Sequence, residues 1–246
     1  MVAIAPNHYQ RLLRAIALAT AVSITLTHAP SWAVPFQPRE TLARPGNRRG
    51  AATRSGGEQC RADNGRRLTA LVPRSNNGWT VSEQPTFYWY MPTNSTFKKA
   101  RFDLYEVVEA EQREIYSTEF PIMGNAGVTN SSYLDKPLPP LAIGKTYRWA
   151  IVLVCPDQPS RNIFAEGWVE RGQVSSEVAA QLAAAAPEER YKVYAAAGLW
   201  YDTLQELAQL RQAQPQEEDF TQEWQELMAS EAVQLAEIAA QPFTKP

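Results

Sequence analysis

The chain holds two histidines, His8 and His28, and both fall within its first 33 residues. Those residues read as an export leader. Arg11 and Arg14 precede an apolar run over 15–26, and Ser31-Trp32-Ala33 supplies the small residues a signal peptidase needs, with cleavage expected before Val34. The mature chain would then have no imidazole, which removes Ser-His-Asp and Cys-His catalysis and every metal site built on histidine. Cysteine is as scarce. Cys60 and Cys155 are the only pair, and an exported compartment permits a disulfide between them. Closing a loop of that length is worth roughly 4–5 kcal/mol on the chain-entropy model. With both sulfurs so used, thiolate nucleophiles and thiolate zinc sites are gone as well.

Other absences narrow the field further. There is no Walker loop, no G-x-G-x-x-G and no calcium-loop pattern. After the leader no apolar run reaches the roughly 18 residues of a spanning helix, so no membrane span is expected once the leader is removed. A formal net charge of -2 favours neither nucleic acid nor a membrane surface. The expectation is a periplasmic or extracellular protein with no cofactor, no metal and no catalytic residue.

What remains is organised in four parts: a leader at 1–33, a linker at 34–67, a β-rich domain at 68–174 and a helical region at 175–240. The linker carries eight arginines against three acidic residues, with scattered Pro and Gly. Such composition buries too little apolar area to offset its ordering entropy, so it reads as a disordered basic tether with charge suited to an anionic envelope polymer. Beyond it, runs of strand character at 68–73, 86–91, 101–108, 114–120, 128–134, 146–155 and 163–169 are separated by turn residues and no helices. Seven short strands in this pattern fit an immunoglobulin- or fibronectin-III-like antiparallel β-sandwich, with a barrel as the alternative.

The run at 146–155 is apolar on both faces, the mark of a central strand. Leu138, Leu141, Gly144 and Tyr147 read as the corner before it, where a tyrosine hydroxyl bonds to upstream backbone. Past Gly172 the pattern turns helical and acidic, with twelve acidic residues against four basic from Ser175 onward. Ser175-Ser176-Glu177 can cap a helix through Val178 and Leu182. Gly198, Trp200, Leu204, Leu207, Leu210 and Pro215 resemble the second helix of a degenerate tetratricopeptide repeat, with Tyr194 at the first-helix tyrosine but Thr203 and Pro187 departing from the pattern. A helical hairpin follows as the expectation.

Candidate binding residues are aromatic and apolar. Trp200, Leu204, Leu207 and Trp224 are expected to meet another envelope or secreted protein, and Trp79 and Trp168 to stack on an envelope glycan as the alternative. A carboxylate glycosidase is the remaining enzymatic reading. Glu166 and Glu170 would lie roughly 13 Å apart on one strand face, outside glycosidase geometry, which leaves Asp103 with Glu166.

Taken together, L-T-A-L-V-P at 68–73, T-V-S-E-Q-P-T-F-Y-W-Y-M-P at 80–92, G-K-T-Y-R-W at 144–149, F-A-E-G-W-V-E-R at 164–171 and A-x-x-G-L-W-Y-D-T-L at 195–204 resemble the cyanobacterial exported family called domain of unknown function 928. The resemblance runs from about Cys60 to Trp224. It implies a cyanobacterial source, export and no assigned activity, and it carries no catalytic residues.

Overall fold

Strand-forming runs pair here into two facing sheets, and helices close one side. The computed structural model describes residues 35–39, 43–50, 65–92, 97–123, 125–156 and 158–245; the leader at 1–33 and Cys60 lie outside the described residues. The smaller sheet has the order β1-β3-β6, from β1 (Thr69–Ala70), β3 (Tyr88–Met91) and β6 (Gly127–Asn130). The larger has the order β2-β8-β7-β4-β5, from β2 (Asn77–Thr80), β8 (Ile163–Arg171), β7 (Thr146–Val154), β4 (Lys99–Val108) and β5 (Glu111–Pro121).

β7 is central, as its two apolar faces require. Tyr147, Trp149, Ile151 and Leu153 point to the core and are at most 3% exposed, while Ala150 and Val152 on the other face are also buried. The corner is present: the Ala142 backbone N–H donates to the Tyr147 hydroxyl at 2.8 Å. Aromatic rings fill the space between the sheets. Trp149 stacks on Phe102 at 5.9 Å, and Phe87 reaches Trp149 at 5.1 Å. This is the mainly β, two-sheet sandwich the alternation predicts, with a helical C-terminal part.

One strand departs from the sequence expectation. Asn76-Asn77-Gly78 has the composition of a turn, but the turn ends at Asn76, whose N–H donates to the Pro73 carbonyl at 2.9 Å and whose φ is 59°. Asn77 already begins β2, which pairs parallel with β8 through Asn77↔Trp168 and Trp79↔Glu170. The other ladders are antiparallel. Local composition reads Asn-Asn-Gly as a turn, and only the proximity of β8 makes its second half a strand.

The helices are α1 (Ser176–Ala184), α2 (Arg190–Ala196), α3 (Trp200–Ala213), α4 (Glu218–Ala229) and α5 (Ala236–Ala239). The first turn of α3 is set into the sandwich. Trp200 Nε1 donates to the Leu71 carbonyl at 2.9 Å. The Tyr201 hydroxyl accepts from Trp149 Nε1 at 2.8 Å and donates to the Trp168 carbonyl at 2.9 Å. Gly78 of β2 makes room for this entry, since a Cβ there would lie 2.8 Å from the Tyr201 ring and 3.0 Å from Trp200. Sheets and helices therefore share one apolar cluster.

The expectation of a disordered tether at 34–67 is corrected where that segment is described. Residues 35–39 and 43–50 lie as a strap against the sandwich. Gly50 N donates to the Leu68 carbonyl at 2.7 Å and Ala70 N to the Arg48 carbonyl at 2.8 Å, which extends the small sheet beyond β1. Asn47 is held by β8 from both directions: its carbonyl accepts from Glu166 N and its N–H donates to Glu166 Oε1, each at 2.9 Å. Burial of Phe36 and backbone pairing supply the order that composition alone denied.

Candidate functional site

The outer face of the large sheet carries the polar residues that alternate with the core set. Asp103, Ala150 and Glu166 sit in one row across β4, β7 and β8. Asp103 and Glu166 are thus two strands, roughly 10 Å of backbone, apart. Both carboxylates are buried and engaged. Arg101 Nε donates to Asp103 at 2.9 and 3.0 Å and Ser117 Oγ at 2.7 Å, while Glu166 pairs with Arg148 as well as with Asn47. Arg148 also lies over the Tyr105 ring at 4.5 Å. Each carboxylate is thus occupied by a guanidinium and by at least one further hydrogen bond within the sheet and strap.

The strap covers the two tryptophans expected to meet glycan. Arg44 lies 5.4 Å over Trp168, whose Nε1 donates to the Pro45 carbonyl at 2.8 Å, and Trp168 is 6% exposed. Arg44 Nη2 and Asn77 Nδ2 both donate to Glu170 Oε1, at 2.9 and 2.8 Å. Arg39 lies 4.9 Å over the half-buried Trp79 and donates through Nε to the Ala197 carbonyl at 3.0 Å. Each ring already has a cation on its face, so neither is a free stacking platform here. The β2–β8 register puts both rings on one sheet face, and the arginines that cover them come from residues 39 and 44.

The remaining described arginines of the strap are also spent internally. Arg48 donates to the carbonyls of Val72, Val233 and Gln234. Burial, with Arg49 beside it, lowers the Arg48 guanidinium to about 10. Arg49 pairs with Glu237, and Arg66 Nε donates to the Glu237 carbonyl at 2.8 Å. The basic segment and the acidic helical end, which sequence reading treats as two surfaces for partners, meet each other.

The residues expected to meet a protein partner are corrected. Trp200, Leu204 and Trp224 are 0% exposed and Leu207 is 1% exposed. Their spacing marks an apolar helix face, but the face turns inward: Phe36 lies edge-on to Trp200 at 5.0 Å, and Trp224 meets Phe243 at 5.2 Å. The exposed helix is α1. It has no buried residue, and the Ser175 hydroxyl accepts from Val178 N at its start. Cys155 is buried beyond the end of β7, and no cysteine among the described residues is free. Among the described residues no three His, Cys, Asp or Glu side chains come together as a metal-holding group.

Sequence reasoning missed Phe36 and the arginine strap. Phe36 was the available signal: it is the single aromatic residue between 34 and 67, flanked by Pro35 and Pro38.

Comparison with known proteins agrees on family and is silent on activity. No curated protein matches the chain. Among solved structures, the fibronectin type III domain of human collagen alpha-1(XX) chain is similar, at 16% identity over 39% of this chain and 76% of that one, with a TM-score of 0.24. The model of the family described as Domain of Unknown Function (DUF928) matches residues 49–243, and the chain belongs to that family.

Proposed function

We propose that this member of the family is an exported, non-enzymatic cell-envelope protein that binds a second protein through α1. The observation that carries the reading is α1 itself, nine residues long and without one residue of its own in the core. A helix so short is marginal in isolation, and this one is held by its Ser175 cap and by alanine, the best helix former. Val178 and Leu182 lie four residues apart, on one face and half-buried. A helix already ordered loses less entropy on docking than an unstructured segment would. Support for a non-enzymatic role comes from the histidine-free mature sequence and from the pairing of Asp103 with Arg101 and of Glu166 with Arg148. Export rests on the leader, and the Cys60–Cys155 bridge on the same compartment; resistance to maleimide in unreduced, denatured protein would support the bridge.

The test is recovery from envelope fractions by the full chain and by a Val178→Asp, Leu182→Asp double variant of unchanged melting temperature. The expected result is loss of a stoichiometric partner with the variant. Equal recovery by both proteins overturns the reading.

A further inference from the structure

Between α2, α3, α4 and the first residues of the strap lies a cavity of about 190 Å³. Phe36, Ala195, Leu207 and Leu227 give it buried apolar walls, and the exposed Pro35 and Glu226 mark its mouth. The polar groups of the lining are already engaged inside the protein. The Tyr191 phenol hydrogen-bonds to Glu223. Thr203 Oγ1 donates to the Leu199 carbonyl, and Ser230 Oγ to the Leu227 carbonyl, each at 2.8 Å. Glu226 accepts from Gln222 Nε2 at 2.7 Å. A bound water needs about two to four polar partners, and the hydroxyls here have spent their protons on their own chain. Native interiors keep few voids larger than a water molecule, so a hollow of this size with a mouth at the surface is open to filling from solution.

We infer that this cavity binds a small neutral apolar molecule, with a body of about one aromatic ring held between Phe36, Leu207 and Leu227. Size and the engaged lining select the class. An apolar cavity of roughly 150 Å³ takes a benzene ring, so this one admits a ring with a short substituent and excludes a peptide. A charged ligand would leave water for apolar walls and for hydroxyls with no proton left to donate, a costly transfer. A neutral apolar body gains by the same transfer, in proportion to the area it buries. Occupancy also ties together elements distant in sequence. Phe36 is the strap's wall of the cavity, and the Gln37 N–H beside it donates to the Ala195 carbonyl at 3.1 Å. A ligand packed on both Phe36 and Ala195 therefore tightens the strap on α2. No residue of α1 is among the described residues that line the cavity, so the two readings succeed or fail separately.

Toluene is the probe, titrated into the isotopically labelled full chain and followed by backbone amide shifts. Saturable shifts centred on Phe36, Ala195, Leu207 and Leu227 are expected, with benzylamine and benzoate at least tenfold weaker. Near saturation, toluene should also slow hydrogen exchange of the Gln37 amide by about threefold or more. Ala195→Leu fills the cavity and should abolish the shifts. The charged analogues and the exchange measurement use the unaltered chain, so they decide the matter even where that variant fails to fold. No saturable shift in toluene-saturated buffer, binding of benzylamine or benzoate as tight as that of toluene, unchanged Gln37 exchange once the shifts saturate, or full binding by a folded Ala195→Leu protein overturns the inference.

Discussion

The strap side and the α1 side of this molecule began with similar prospects and end in opposite states. Both looked like surfaces for partners, the first because it is basic and aromatic, the second because it is helical and acidic. On the strap side the charges and rings are used up. Arg39 and Arg44 cover Trp79 and Trp168, and Arg48, Arg49 and Arg66 reach the carbonyls and the carboxylate of residues 233–237. On the other side α1 keeps every residue out of the core. Charge patterning counts what is available for contact, and intramolecular pairing consumes part of it before any partner arrives.

Four changes break or sharpen that contrast. The largest effect belongs to the helix face that turned inward. Leu204→Ala should cost about 2–5 kcal/mol in chemical denaturation, the range for a fully buried leucine. A loss under about 0.5 kcal/mol would return Leu204 to the surface. On the strap, Arg48→Ala removes donors to three carbonyls and should cost about 2–3 kcal/mol, with protease sensitivity rising first in residues 43–50.

Asp202 tests the joint between α3 and β2 by pH. It accepts from the Val81 N–H at the end of β2, and burial raises its carboxyl to about 6, against hydrogen bonds that pull the other way. The folded state therefore holds this proton more tightly than the unfolded chain, so the Asp202 contribution makes stability fall as pH rises from about 4 to 6. Asp202→Asn should remove that slope, worth about 1–3 kcal/mol across the window. An unchanged stability-pH curve would show that Asp202 is not so held. The smallest effect is expected at α1, where Val178→Asp with Leu182→Asp should shift stability by no more than about 0.5 kcal/mol. A larger loss would mean that α1 is packed rather than presented.

Much of the sandwich was legible because its signals are local and periodic. The two apolar faces of 146–154 declared a central strand, and the spacing to Tyr147 declared the corner that the Ala142 N–H completes. β2 was not legible, since Asn-Asn-Gly looks like a turn until β8 lies beside it. The candidate site was read in half. Trp79 and Trp168 share a sheet face as register requires, yet nothing near them in sequence announces the arginines more than 30 positions away that cover them.

By itself, then, the sequence determined the alternation that makes strands, the 3.6-residue spacing that makes α3 and the family to which the chain belongs. Those properties depend on neighbours within a few residues, where geometry is set by the backbone. Tertiary structure alone decided direction: that Trp200, Leu204 and Leu207 turn inward, that the arginine-rich segment is a strap, and that α1 is left exposed. An apolar helix face gains the same burial against its own sheet as against another protein, and a guanidinium pairs as readily with a carboxylate of its own chain. Only the folded arrangement brings those partners within reach.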